Sequence, residues 1–378
     1  MERKKKIALF SCHEDPNYGS MLQAYALATA IKRMGYDAEY ITYRTYPKQS
    51  LLFKCIKRTI KEFLLRTGLM KDHNPFHFFN TQEFSSTIKA FREFHKKYIP
   101  SSIRIYHSNT IGSELPLVEY STYIVGSDQL WSPLNYECDS RIPYFLDFTE
   151  LPSRSSYATS LGTTILSDRY KDLLKEKLSV FDHLSCREKS NTEMLTQLLG
   201  QPVEEVLDPT LLLTTEDWDQ IAIDTTIANR YVLAYILGEK NTLVDFAEHL
   251  GKTLAIPVYY IATRPKHLNH KNVLTGIGPD AFIGLLKKAT YVVTDSFHGC
   301  LFCINYKVQF YAFSKREGNL NSQDNIRIVE FLQSLHLEDR FQDDTHATLI
   351  QDCDYELPHH ILNKKRETSL AYLSLCLK

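Results

Sequence analysis

The sequence predicts two successive α/β domains with parallel sheets, facing one another across a cleft. Three observations lead there. The chain opens as strand, loop, helix, strand: Ile7–Phe10 is a short apolar run, Met21–Met34 is an Ala- and Leu-rich helix closed by Gly35, and Ala38–Tyr43 is apolar again. The alternation lapses from Leu211 to Ile227 and restarts at Tyr231, which marks a domain boundary. Two apolar runs also stop abruptly in polar, glycine-containing loops. Tyr123–Val125 ends in Gly126-Ser127-Asp128, and Tyr291–Val293 ends in Thr294-Asp295-Ser296-Phe297-His298-Gly299. Ligands of open α/β sheets bind outside such carboxyl ends.

These signals divide the chain into an N-terminal α/β domain over 1–213 with a helical insertion near 50–110, a C-terminal α/β domain over 214–345, and a helical extension over 346–378. In the insertion, helices are expected near 50–68 and 84–97, joined by a polar loop at Lys71–Pro75. Phenylalanines at 76, 78, 79, 84, 91 and 94 would pack it over one side of the cleft. Tyr144–Phe148 and Ser155–Gly162 follow the Tyr123 strand. Tyr170–Phe181 is an amphipathic helix and His183–Glu188 a short strand. Lys189–Leu199 is a helix closed by Gly200, and Val206–Thr210 another strand. In the second domain, strands are expected at Tyr231–Leu237, Ile256–Ile261 and Tyr291–Val293, with Val308–Phe313 as the last. Helices are expected at Leu243–Leu250, Pro279–Lys288, Asn325–Leu335 and Leu362–Leu375.

Composition narrows the function. Of 378 residues, 43% are apolar and 24% charged, as in a soluble globular protein. A net charge of −1 argues against a nucleic-acid binder that relies on bulk positive charge. The eight cysteines are scattered, which fits a reducing cytoplasm. Cys300 and Cys303 form a C-x-x-C without the second Cys/His pair a zinc site needs, so they read as the start of a helix on the sheet. Ile7–Phe10 is too short for the apolar part of a signal peptide, and no run approaches the ~20 apolar residues of a membrane span. A cytoplasmic protein is expected. The basic stretch Lys54–Arg58 with Lys61 is either a solvated helix face or a peripheral contact with the inner face of a membrane.

The polar loops carry the candidate chemistry. Asp295 and His298 can hold a proton near neutral pH, because a carboxylate fixes the tautomer of an imidazole. Ser296 adds a hydroxyl, and Gly299 permits close approach of a ligand. Asn17, Tyr18, Gly19 and Ser20 precede a helix, where an anion binds; helix capping explains the same residues. The first loop lacks G-x-G-x-x-G, so a dinucleotide is not indicated. Asp128 and Gln129 can bond sugar hydroxyls and Trp131 can stack on a sugar face, or the segment is a turn with a core tryptophan. Arg187 is either an anion receptor or the ion-pair partner of Glu188.

Seven blocks, in order, resemble the polysaccharide pyruvyl transferase family: NYGSMLQAYAL (Asn17–Leu27), VGSDQLW (Val125–Trp131), YFLDF (Tyr144–Phe148), SYATSLG (Ser156–Gly162), LSCREKS (Leu184–Ser190), VLDPTLLL (Val206–Leu213) and VVTDSFHG (Val292–Gly299). The resemblance runs from about Lys6 to about Phe341; residues 50–110 contribute nothing diagnostic. It implies two Rossmann-like domains facing a cleft, similar to the glycosyltransferase B type. It implies transfer of pyruvate from phosphoenolpyruvate onto two hydroxyls of a sugar in a surface polysaccharide or its precursor, forming a cyclic ketal and releasing phosphate. The family's arginine and histidine fall on Arg187 and His298. The expectation is that Arg187 grips phosphoenolpyruvate and His298 is the acid/base, oriented by Asp295. Asn17–Ser20 and Gln23 would assist with Gly126, Ser127, Ser296 and Gly299, and Asp128, Gln129 and Trp131 would face the acceptor. No cofactor or metal is expected beyond the donor substrate. Two alternatives stay open: a glycosyltransferase using a nucleotide sugar, and a non-catalytic sugar-binding component of a polysaccharide assembly complex. The acceptor sugar, any lipid on it and the oligomeric state are not specified by the sequence.

Overall fold

The computed structural model describes residues 6–44, 82–108, 110–133, 143–148, 150–225, 227–238, 241–315, 325–342 and 347–378. The helix expected near 50–68, the loop Lys71–Pro75, Phe76, Phe78 and Phe79, and the basic stretch Lys54–Lys61 lie outside the described residues.

The first domain alternates strand and helix as expected. Its strands are β1 (Lys6–Phe10), β2 (Ala38–Tyr40), β5 (Tyr120–Asp128), β6 (Arg154–Thr159), β7 (Ser185–Cys186) and β8 (Glu204–Glu205); a small pair, β3 (Tyr43–Arg44) and β4 (Tyr106–His107), lies apart. The six form one parallel sheet in the order β2-β1-β5-β6-β7-β8. Its longer helices are α1 (Tyr18–Arg33), α2 (Ser85–Tyr98), α3 (Asp168–Leu178) and α4 (Lys189–Leu199). The second domain holds β9 (Val232–Tyr235), β10 (Val258–Ile261), β11 (Val273–Leu274), β12 (Tyr291–Thr294), β13 (Gln309–Phe313) and β14 (Phe341–Gln342), parallel in the order β11-β10-β9-β12-β13-β14. Its helices are α5 (Asn241–Leu254), α6 (Pro279–Lys288), α7 (Phe297–Tyr306), α8 (Ile326–Ser334) and α9 (Glu356–Cys376). Purely parallel sheets are covered on both faces, which explains runs as apolar as Ile7–Phe10 and Val292–Val293.

Some boundaries differ from expectation. The strand read at Val206–Thr210 is instead the two-residue β8 just before it and a 3₁₀ turn at Pro209–Leu211, where proline removes the N–H a ladder needs. Val308–Phe313 is not the last strand, because β14 pairs beyond it. Helix α1 starts at Tyr18, earlier than Met21, capped by Asn17, whose Oδ1 accepts from Ser20 N. Cys300 and Cys303 are buried in α7, on a helix against the sheet as expected.

One apolar core runs through both domains, joining α1 to α6, α7 and α9. Tyr18 lies at its centre: its ring packs 4.7 Å from both Phe91 and Phe282, and its hydroxyl donates to Ile277 O at 2.8 Å. Helix α2 spans the same seam, with Thr87 Oγ1 accepting from Gly276 N at 3.0 Å. Helix α9 begins on the second domain, where Tyr355 OH donates to Val308 O, and ends on the first, where Tyr372 OH donates to Ser156 O. These three helices hold the two domains against each other. No helix among the described residues is long and apolar enough to cross a membrane.

Candidate active site

The strand ends of the first sheet deliver a buried ionic cluster. Arg187 follows β7, and its guanidinium is 1% exposed. Nε donates to Glu188 Oε1 at 3.0 Å, Nη1 to Asp208 Oδ2 at 2.9 Å and Nη2 to Asp128 Oδ1 at 3.3 Å. The group also lies over the Phe297 ring, 4.8 Å from its centroid. One cation thus serves three carboxylates. Burial pulls the Asp208 carboxyl up, but His298 and Arg187 outweigh it and hold it well below the carboxylate range. Asp128 is held down in the same contest by Arg187, His298 and Arg327. Glu188 goes the other way, because burial outweighs Arg187 there.

The second sheet delivers His298, the second residue of α7. Its ring lies on Gly19 of α1: a Cβ on Gly19 would come 2.2 Å from His298 Nδ1. His298 Nε2 sits 3.4 Å from Asp208 Oδ2 and hydrogen-bonds the Gln23 amide. Asp208 is pinned from its other oxygen by Thr210 N at 3.0 Å and Thr210 Oγ1 at 2.8 Å. Ser20 Oγ donates to Asp128 Oδ2 at 3.2 Å, closing the ring of contacts. Asp128 itself has φ +91°, a left-handed conformation that side chains other than glycine adopt at a cost and that clusters at functional sites.

The predicted residues therefore separate into two groups. The structure brings together Gly19, Ser20, Gln23, Asp128, Arg187 and His298. Asp295 is not among them. Its Oδ1 accepts from Leu237 N at 2.7 Å and its Oδ2 from Gly238 N at 2.6 Å, so it ties the end of β9 to β12. The carboxylate that meets His298 is Asp208. Trp131 offers no sugar platform: it has no exposed surface, stands edge-on to Phe181 and donates from Nε1 to Tyr144 O at 2.8 Å. Tyr18 is likewise core. Ser127 is buried with its hydroxyl donated to Ala158 O, and Gly126 is where β5 presses on the Tyr157 carbonyl. Ser296 caps α7 by accepting from Gly299 N, and Gly299 fits beneath Thr294. Gln129 keeps its side chain against Gly162, and Asn17 serves as the α1 cap.

Sequence reasoning gave no role here to Asp208, Phe297, Arg327 or Lys365, and it named Glu188 only as an ion-pair partner of Arg187, which the 3.0 Å contact makes it. Beside Arg187 a cavity of about 260 Å³ is lined by Asp208, Phe297, Phe331, Lys364 and Lys365. A wider one of about 620 Å³ adds Lys189 and Arg327, between α4 and α8. The cavity walls thus carry Lys189, Arg327, Lys364 and Lys365 together with Glu193, Glu205 and Glu330, while His298 stands behind them on Asp208. Among the described residues no group of three or more His, Cys, Asp or Glu is placed to hold a metal ion.

Solved structures align with the chain over most of its length. They include a UDP-GlcNAc 2-epimerase from Methanocaldococcus jannaschii (11% identity, 96% of this chain and 92% of that one, TM-score 0.47) and MnaA of S. aureus with UDP (11%, 98% and 90%, 0.47). A third is a UDP-GlcNAc 2-epimerase from Neisseria meningitidis bound to UDP-GlcNAc (11%, 98% and 100%, 0.43). Such values carry no activity from those proteins to this one. Among curated proteins no sequence matches the chain. The family profile "Polysaccharide pyruvyl transferase" matches residues 17–315, which takes in every residue of the cluster from Gly19 to His298, and the chain belongs to that family of pyruvyl-transferring enzymes.

Proposed function

We propose that this protein transfers pyruvate from phosphoenolpyruvate to two hydroxyls of a saccharide acceptor, forming a cyclic ketal and releasing phosphate, with His298 as acid/base. The observation that carries this reading is the contact of His298 with Asp208 and, through it, with Arg187 at the meeting of the two sheets. The reaction needs one proton delivered to the donor methylene, which becomes a methyl group and leaves cationic character on C2. One acceptor oxygen bonds to C2 and releases its proton. The C2–O bond to phosphate then breaks, the second acceptor oxygen bonds to C2, and its proton leaves with phosphate. A positioned imidazole contributes about 10²–10⁴-fold to such proton transfers. Asp208 Oδ2, 3.4 Å from Nε2, orients the ring, as a carboxylate partner does. Arg187, its charge shared by three carboxylates, sets the positions of Asp208 and Asp128. The carboxylate and phosphate of the donor face Arg187 together with Arg327, Lys364 and Lys365.

The test is phosphate release from phosphoenolpyruvate with wild type and His298→Ala, against galactose-, mannose- and N-acetylmannosamine-bearing acceptors. Acceptor-dependent release that disappears in a folded His298→Ala variant is expected. Full turnover in that variant removes His298 from the chemistry. Release of nucleoside diphosphate from a nucleotide sugar, with no binding of phosphoenolpyruvate, overturns the reading.

A further inference from the structure

Two adjoining cavities, of about 390 and 100 Å³, open beside the loop Ser11–Pro16 that follows β1. The larger is within the size range of small-molecule sites. Both are lined by Glu14 and Arg44, whose ion pair stands between them. Helix α2 closes the larger with Phe91, Arg92 and His95. The cluster around His298 uses none of these residues.

His13, in the smaller cavity, is the informative group. It is 2% exposed, stacked 4.8 Å from Tyr40 and 5.7 Å from His95. Its Nδ1 lies 3.2 Å from Ser11 O. A carbonyl only accepts, so Nδ1 carries the proton and Nε2 presents a lone pair. Burial lowers the pKa of His13 to about 4, so the ring is neutral at pH 7. Among the described residues, Nε2 has no hydrogen-bond partner. A buried acceptor left without a donor is costly, and native structures rarely tolerate one. A hydroxyl donor admitted to the chamber beside the ring would satisfy it.

The charge balance selects the class of ligand. Glu14 and Asp15 stand against Arg44 and Arg92, and the His95 pKa is lowered chiefly by burial. A chamber with no net charge, carboxylates at its mouth and paired donors and acceptors suits a neutral polyol. It disfavours a phosphorylated, multiply charged donor. Its place fits too. The loop runs straight into the first turn of α1, where Gly19 touches His298 and Ser20 holds Asp128, and Asp15 feels the charge of Asp128.

We propose that this chamber is the saccharide-acceptor subsite, with Glu14 and Arg44 binding sugar hydroxyls and His13 accepting from one of them. The identity of the occupant as an acceptor rests on the pyruvyl-transfer reading above; the binding of a sugar there does not. The test is saturation-transfer NMR on the full chain with methyl galactoside, methyl mannoside and N-acetylmannosamine as probes, and without phosphoenolpyruvate. Wild type should give a signal with at least one probe. Glu14→Gln and Arg44→Gln, both at the surface and tolerable to the fold, should each weaken that sugar about tenfold, since hydrogen bonds to charged groups are worth about that much. His298→Ala should keep the signal, and calorimetric titration of phosphoenolpyruvate should be unchanged in the Glu14 and Arg44 variants. A sugar signal unaffected by both substitutions, or none in wild type with any probe, overturns the subsite. Sugar binding that tracks Glu14 and Arg44 while phosphoenolpyruvate fails to bind leaves the subsite standing and removes the donor assignment.

Discussion

At Asp208 one carboxylate meets both His298 and Arg187, while Asp295 spends both oxygens on backbone N–H groups. Their substitutions should therefore part company. Asp208→Asn leaves His298 without an anionic partner and should lower kcat about a hundredfold. Asp295→Asn turns an NH₂ toward one of two N–H donors and should cost about 1–3 kcal/mol of stability while the folded fraction keeps its kcat. Equal losses of kcat would return Asp295 to the acid/base pair. Asp208 also predicts a pH dependence. Its folded pKa lies below the unfolded value, so its stabilising contribution is full above the unfolded pKa of about 3.9 and is lost as pH falls further. The urea midpoint of wild type should fall below about pH 4, and that of Asp208→Asn should be lower at pH 7 and flatter in the acid window. Gly19→Ala separates propensity from function. Alanine favours a helix by roughly 1 kcal/mol, but its Cβ would meet His298 Nδ1 at 2.2 Å. Turnover should fall about a hundredfold with unchanged far-UV CD; full turnover would show that the ring can sit elsewhere without loss.

Elements were legible in the sequence where burial on both faces made the run long and apolar, as in β1, β5, β9 and β12. They were least legible where pairing needs only two residues, as in β8, β11 and β14, because such strands are fixed by their neighbours and not by a local pattern. Helix α9 begins at Glu356, six residues before the expected Leu362, because Pro358 sits in the first turn, where a missing N–H costs nothing. The site followed the same rule. Strand-end loops pointed to Asp128, Arg187 and His298, but a loop shows which groups are available and not which meet. Asp208 is 90 residues from His298 and Gln23 is 275, so only the packed sheets pair them. Trp131 misled because an aromatic after a strand looks the same whether it faces a cleft or the core. Helix α9 ties the two domains together. Leu373 is fully buried where the helix returns to the first domain. Leu373→Ala should destabilise by about 2–5 kcal/mol, read as a lower urea midpoint, with kcat of the folded protein unchanged because no cluster residue lies on that turn.

The whole molecule is expected to unfold as one unit although it has two sheets. The two domains share a continuous apolar core and are bridged by polar contacts as well: Tyr18 OH to Ile277 O, Asn305 Nδ2 to Leu213 O at 3.0 Å, and the Arg33–Asp217 pair. Helix α9 adds Ser369 Oγ, which accepts from Leu207 N at 2.9 Å after the helix has started on the other sheet. Separating the domains would expose Tyr18, Phe282 and Trp218 together, all of them now buried. That cost makes a state with one sheet folded and the other unfolded unfavourable. Differential scanning calorimetry should accordingly give a single endotherm whose calorimetric and van't Hoff enthalpies agree. Tyr18→Ala empties the seam and should cost about 3–5 kcal/mol, the range for a large buried aromatic. If the seam is what couples the domains, the same substitution should also broaden or split the endotherm, because each sheet then loses its main contact with the other. Two resolved transitions already in wild type would mean that each domain is stable alone. In that case the cluster at Arg187 and His298 would be assembled by docking of two folded bodies, and its activity would fade before either sheet melts.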